Sequence, residues 1–453
     1  MRFLRMSTVL LSLSLFLLLP LAVSHGGGST TGTPRLMEGP MVGAVTPSSI
    51  SIWVRASGEF PLSLEYDLKN DFKSSQRTKE ITPSIEKDDR TAVLVMSGLE
   101  ADTVYHYRVL VNGKPAHNLG KFSTKTAPDG PARFSISYGS CPRYQQDPIQ
   151  NIWQGIEKNA PDLFFWIGDN VYGDTFDPEI LAECYRYQRM IPNSRNFLAS
   201  TPQLAIWDDH DYALNNHNRT NPIKEESLVV FKRYFANPSY GLPDTPGVFF
   251  KYHYGGVDFF FLDVRYHRDP NTQPDSPEKT HLGKGQLAWL KKELLASETP
   301  FKVLISGGGF SCEKGPEGDS WAAFLHERNH LFDFLRDNEI TGVFGLSGDT
   351  HVGEFNAIPW SEEGGYDFYD LDSSPLAQRA SDNWKKHTPE IRLRMPYQAN
   401  NAGWVQFDMT ATPPTVSLNL MTEDGEPVWE PIVLTPEDLK NGVATAKANI
   451  KLD

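Results

Sequence analysis

The sequence predicts an α/β domain preceded by a small antiparallel β-sandwich. Two patterns carry this. From about residue 134 onward, runs that are apolar throughout alternate with helix-length segments, as expected of layered strands buried on both faces. Residues 36–126 instead show short strands of alternating hydrophobicity separated by turns, with no competing helical period. The 453 residues are 39% hydrophobic and 12% aromatic, enough to fill a sizeable core. Only 3 Cys exclude a disulfide scaffold, and a net charge of -14 excludes a non-specific binder of nucleic acid or anionic membrane.

In chain order, Arg2 and Arg5 precede an apolar run over residues 9–19, and Ala22-Val23-Ser24 offers a small-x-small cleavage pattern. Residues 1–24 therefore read as a signal peptide, of Sec type because no twin-Arg pair is present, and predict a secreted or periplasmic protein. The run is too short for a comfortable bilayer span, so no stable membrane anchor is expected. Residues 25–35 are rich in Gly, Ser and Thr and read as a flexible leader. Residues 36–128 hold the predicted sandwich, with strands at 50–54, 62–66, 91–95 and 105–111, a pattern like a fibronectin type III module. A Pro- and Gly-containing linker at 127–131 leads into the α/β part, residues 129–453. Its strands are expected at 134–138, 163–167, 203–207, 249–254, 257–262, 301–306 and 342–346. Helices are expected near 149–158, 178–190, 225–235, 285–296 and 326–338, with later strands at 404–409 and 415–420.

Ligands of α/β folds bind beyond the carboxyl ends of strands, and four of these ends carry metal-binding side chains. They are Ser140-Cys141-Pro142-Arg143, Gly168-Asp169-Asn170-Val171-Tyr172, Asp208-Asp209-His210-Asp211 followed by Asn215-Asn216, and Gly348-Asp349-Thr350-His351. A dinuclear centre needs a bridging carboxylate and mixed oxygen and nitrogen ligands. Asp349 and His351 share a face if extended, and Asp169 and Tyr172 suit a turn entering a helix. A Cys141 thiolate with a Tyr172 phenolate favours a hard, acidic ion such as Fe(III). Singly, a strand-end Asp is usually a turn residue or helix cap and a lone Cys a small buried hydrophobe. Four such ends in series on one scaffold point to a shared metal site.

The ordered blocks around Asp169, Asp209 and Asp349 resemble those of calcineurin-like metallophosphoesterases. The finer set is similar to the PhoD-type alkaline phosphatase/phosphodiesterase family over essentially the whole chain after the leader. It comprises Cys141 in Gly-Ser-Cys, Asp169-x-x-Tyr172, Trp207-Asp-Asp-His-Asp211 with its Asn pair, and Asp263-Val-Arg265-Tyr-His-Arg268. The resemblance implies a four-layer α/β-sandwich catalytic domain behind an N-terminal β-sandwich, and a centre of Fe(III) with one or more Ca(II) ions. Carried over, Cys141, Asp169, Tyr172 and His351 ligate iron, Asp169 bridges to calcium, and Asp209, Asn216 (or Asn215) and Asp349 hold calcium. His210 matches the His that contacts the scissile phosphate and assists the leaving group. One departure from the wider superfamily is Gly307-Gly308-Gly309, which offers no His where many relatives place a ligand. That disfavours Zn, Mn or Mg.

The expected reaction is in-line attack of metal-activated hydroxide on phosphate mono- and diesters. Arg265 and Arg143 are the candidate phosphate clamp, since a guanidinium matches phosphate bidentately; the plainer reading of each is a structural ion pair. A phosphate-ester substrate, no nucleic-acid-binding role and a monomer are expected. The rivals are a purple-acid-phosphatase-like monoesterase, opposed by Cys141 and the absent His, and a secreted non-catalytic metal-stabilised binding protein, opposed by His210. No Gly-x-Ser-x-Gly elbow and no P-loop occur. A Cys184–Cys312 disulfide stays open, as does a rim role for Trp321, Phe324 and Trp360 against simple packing.

Overall fold

The computed structural model describes residues 32–116, 120–316 and 318–452; the expected signal peptide and most of the leader lie outside them. The N-terminal stretch forms β1 (Leu36–Thr46), β2 (Ser49–Ala56), β3 (Leu62–Asp67), β4 (Gln76–Arg77), a short α1 (Ile85–Asp88), β5 (Thr91–Ser97), β6 (Val104–Val111), β7 (Lys114–Pro115) and β8 (Phe122–Lys125). Two antiparallel sheets result, β1-β2-β5 and β4-β3-β6-β7 with β8 on β6. The four strands read from alternation are present. β1 is additional: its interior Gly39-Pro40 and two register shifts between Leu36 and Met41 hide it from a period-two reading.

The larger part follows as β9 (Arg133–Gly139), α2 (Ile152–Asn159), β10 (Leu163–Ile167), α3 (Pro178–Arg189), α4 (Arg195–Ser200), β11 (Gln203–Ile206) and α5 (Lys224–Tyr234). Next come β12 (Phe250–Tyr254), β13 (Val257–Phe261), α6 (Lys284–Ala296), β14 (Phe301–Gly308), α7 (Leu325–Asp337) and β15 (Val343–Gly348). The chain closes with β16 (Glu354–Ile358), β17 (Phe368–Asp372), β18 (Ile391–Arg392), β19 (Asn401–Asp408), β20 (Thr415–Thr422) and β21 (Ile432–Leu434). They build two mixed sheets, ordered β11-β10-β9-β19-β20-β21 and β12-β13-β14-β15-β17-β16-β18. In each, the strands that lead to the site are parallel: β9, β10 and β11 in one, β13, β14, β15 and β17 in the other.

Strand β10 shows why its apolar run is unbroken. Phe165 faces the second sheet, with ring centroids 5.2 Å from Phe259 and 4.9 Å from Phe261, while Phe164 and Trp166 face outward onto Trp153 of α2. Across the second sheet, Phe332 of α7 packs on Phe368 of β17 at 4.7 Å. Helix, sheet, sheet and helix are thus stacked in that order, and both sheet faces must be apolar. Among the described residues no helix is long and apolar enough to cross a membrane.

Candidate metal centre

The carboxyl ends of β9, β10, β11 and β15 converge. The loop after β9 supplies Cys141, that after β10 Asp169 and Tyr172, that after β11 Asp208, Asp209 and His210, and that after β15 Asp349 and His351. Cys141, Asp169 and His351 bring one ligand atom each to within 4.8 Å of one another; so do Asp169, Asp209 and His210, and so do Asp208, Asp209 and Asp349. Asp169 joins the first two groups and Asp209 the last two, which is the arrangement a bridging carboxylate needs. Close approach depends on the glycine before each Asp: a Cβ on Gly168 would lie 2.6 Å from Asp208 Cβ, and one on Gly348 2.5 Å from Ser140 Oγ. Five candidate ligands (Cys141, Asp169, Asn216, Asp349 and His351) hold positive φ, between 50° and 75°. Non-glycine residues keep that conformation only where surrounding structure over-determines it. Here Ser140 Oγ accepts from Asp349 N at 3.0 Å and Ser374 Oγ from His351 N at 3.0 Å.

Cys141 and Asp169 are fully buried, Tyr172 and Asp209 nearly so. Cys141 Sγ lies 3.5 Å from Asp169 Oδ2, and Tyr172 Oη 3.0 Å from His351 Nε2. Burial, then the charges of Asp209 and Cys141, push the Asp169 carboxyl well above its usual range; burial and Asp349 push the Cys141 thiol up to about 12. Burial, with Lys314 and His210 nearby, lowers His351 to about 4, leaving the neutral imidazole that ligates metals. Asp209 Oδ1 is buried without a hydrogen-bond partner. An acceptor left open amid acids whose ionisation burial opposes fits a cation, and the thiol, phenol, imidazole and carboxylate donors fit a transition metal beside a hard one. Asn216 N donates to Asp209 Oδ2 at 2.5 Å, so that residue supports a ligand as well as lining the cavity.

His210, though in one of these groups, also has contacts of its own. Its Nδ1 is 2.5 Å from Asp174 Oδ1, its backbone N donates to Asp169 Oδ1 at 3.3 Å, and its ring lies 4.2 Å from that of Tyr172. Burial opposes its charge, but Asp169, the Asp174 contact and Asp209 outweigh burial and raise it to about 10. It faces a cavity of about 360 Å³ together with Asn215, Asn216, Lys314, Asp349 and His351.

Arg265 departs from the clamp expectation. Its side chain is wholly buried and held by Asp208 at 2.5 and 2.7 Å, by Asp319 at 2.6 Å and by the His217 carbonyl at 3.3 Å, the pattern of a structural ion pair. Arg143 stacks over the Tyr172 ring at 4.4 Å. Sequence reasoning missed Lys314, whose Nζ pairs with Asp349 inside the cavity, and Gln378, whose Nε2 donates to Tyr172 Oη at 2.5 Å. All three cysteines are free: Cys184 lies beneath Tyr172 and Cys312 against Glu390, so the suggested disulfide is absent. Trp321 and Phe324 are fully buried around His281 and are packing, not rim.

Two facing sheets whose strand ends gather these ligands define a metallophosphoesterase-like α/β fold. A PhoD-like phosphatase family model matches residues 136–410, and the chain belongs to that family. Residues 33–127 match a domain of unknown function (DUF7800). Alkaline phosphatase D of Bacillus subtilis (strain 168) is 26% identical over 308 residues, 56% of this chain and 52% of that protein, so the match spans about half the relative's length. The solved structure of PhoD is similar at a TM-score of 0.73 and 18% identity, covering 91% of this chain and 93% of that one. A purple acid phosphatase from yellow lupin (Lupinus luteus) seeds gives a TM-score of 0.58 at 12% identity, covering 89% and 74%. At those identities the structures bear on the fold alone.

Proposed function

We propose that this chain hydrolyses phosphate mono- and diesters as a phosphatase/phosphodiesterase of the alkaline phosphatase D type. The observation that carries the reading is the sharing of Asp169 between the Cys141–His351 group and the Asp209–His210 group at the cavity floor. Cys141, Asp169, Tyr172 and His351 would hold Fe(III); Asp209, Asp349 and Asn216 or Asn215, with Asp169 bridging, would hold Ca(II). Bound there, the ions would acidify water and neutralise the phosphate oxygens. The rest falls to side chains. His210, oriented by Asp174 through Nδ1, keeps its Nε2 3.9 Å from Asp169 Oδ2 and can protonate the leaving oxygen. Lys314 and Lys386 both line the cavity, and Lys314 is the cationic candidate for the phosphate in place of Arg265, whose part is to fix Asp208. Gln378 orients the Tyr172 phenol.

The same reading takes residues 1–24 as an export signal, 36–128 as an accessory β-sandwich of fibronectin type III-like kind, 129–453 as the catalytic unit, and the mature protein as a secreted or periplasmic monomer. Metal quantification of purified protein, with rates on paired monoester and diester substrates, tests it. Iron and calcium with hydrolysis are expected; no hydrolysis of either ester by fully metal-loaded protein would overturn it.

A further inference from the structure

At the wall of the cavity that Glu313 and Glu354 help to line lies a set of oxygens that the reaction does not use. Strands β16 and β17 are antiparallel, with Glu354 opposite Asp372 and Asn356 opposite Asp370. Residues two apart share a face, so four polar side chains meet on one side of the pair. Glu313, from the loop after β14, is fifth. All five are at most 3% exposed. Like charges directly opposed across a strand pair destabilise it, and among the described residues the ion pair these four acids make is a long one, Arg392 to Glu354 at 3.9 Å.

Local donors satisfy only part of the set. Ser311 Oγ donates to Glu313 Oε2 at 2.5 Å and Asn356 Nδ2 to Glu354 Oε2 at 3.0 Å. Ser347 Oγ and the amides of Phe310 and Ser311 donate to Asp370, and Thr350 Oγ1 to Asp372 Oδ1 at 2.8 Å. That leaves Glu313 Oε1, Asp372 Oδ2 and, outside the acids, Asn356 Oδ1, each buried without a partner. Three orphaned acceptors of this kind call for a partner, and a cation would supply one to all three.

We propose that Glu313, Glu354, Asp370, Asp372 and Asn356 form a second metal site, made of other residues than the catalytic centre but adjoining the same cavity, that takes a hard divalent cation such as calcium. Carboxylates and an amide oxygen, with no nitrogen or sulfur donor, select such an ion over softer metals. These acids do not converge as tightly as the catalytic groups, so part of the coordination runs through water, which calcium's variable shell allows. The ion braces two functional segments at once. Asp370 holds the start of the loop that carries Lys314, and Asp372 holds Thr350 between Asp349 and His351. The site does not depend on the reaction assigned above.

The test uses the full-length protein. Calcium stoichiometry is measured for wild type, Glu313→Gln, Asp372→Asn and, as a separate marker of the catalytic centre, Asp209→Asn. Each of the first two is expected to lose one equivalent, additively with the loss in Asp209→Asn. Wild-type crystals exchanged with terbium should show an anomalous peak between β16, β17 and Glu313, and this decides the matter if a variant fails to fold. Equal stoichiometry in wild type and both variants, or no peak there with the catalytic ions loaded, overturns the site and leaves the acids sharing protons.

Discussion

Asp89, at the end of α1, ties the N-terminal sheets to the helices of the α/β core. Its Oδ1 accepts from Arg55 of β2 at 3.1 Å, and its Oδ2 accepts from Arg186 of α3 at 2.8 Å and from the hydroxyl of Tyr234 of α5. The side chain is 9% exposed. Burial alone would raise the carboxyl, but the hydrogen bonds from Arg186, Tyr234 and Arg55 hold it at about 2. Against about 3.9 in an unfolded chain, that is roughly two pH units, or about 2.5 kcal/mol. Asp89→Asn keeps the shape, removes the charge and should cost about that much at pH 7. The folded value lies below the unfolded one, so the contribution is complete above about pH 5, about half lost by pH 3 and gone below about pH 2. Guanidinium unfolding followed by fluorescence, at pH 7 and in a series down to pH 3, measures the gap. A variant within about 0.5 kcal/mol of wild type at pH 7 would refute the reasoning, as would a gap that widens with acid.

The remaining expectations concern the site. His210→Ala should lower turnover by about 10²–10⁴-fold with metal content unchanged; loss of metal would make His210 a ligand instead. Tyr172→Phe should abolish a visible phenolate-to-iron absorption band while calcium content stays level, and a colourless iron-loaded wild type would remove Tyr172 from the ligand set. Arg265→Gln leaves Asp208 and Asp319 buried without their partner and should destabilise the fold by about 3–5 kcal/mol, with KM of the folded fraction little altered. Intact stability with a raised KM would return Arg265 to the phosphate clamp.

Much of the fold was legible because burial on both faces leaves a one-dimensional trace. β10 reads Leu-Phe-Phe-Trp-Ile since Phe165 meets the opposite sheet and its neighbours meet α2. The strand ends that converge on the candidate metal centre were legible for the complementary reason, that each apolar run stops abruptly in Asp, His or Cys. What sequence could not carry were contacts between distant loops. Gln378 reaches Tyr172 across 206 residues as a lone amide in no motif, and Lys314 meets Asp349 from a Gly-rich loop with no period. Nor does composition tell a clamp from a strut. Arg265 sits in a block that reads as catalytic, and only its complete burial between Asp208 and Asp319 shows which it is.

The glycine run at the end of β14 and the buried Arg265 are one feature. A Cβ on Gly307 would lie 2.7 Å from Asp208 Oδ1, so the glycine run leaves room for the Asp208 carboxylate. Asp208 occupies that room only because Arg265 neutralises it, and Arg265 is buried at tolerable cost only because Asp319 supplies a second carboxylate. Asp319 in turn accepts from Arg268 at 2.5 Å. The result is a buried chain of alternating charge that sets Asp208 beside Asp209 and Asp349. The gap in the glycine run and the Asp263–Arg268 block, read separately in the sequence, therefore answer to the same need: an all-oxygen group next to Asp209.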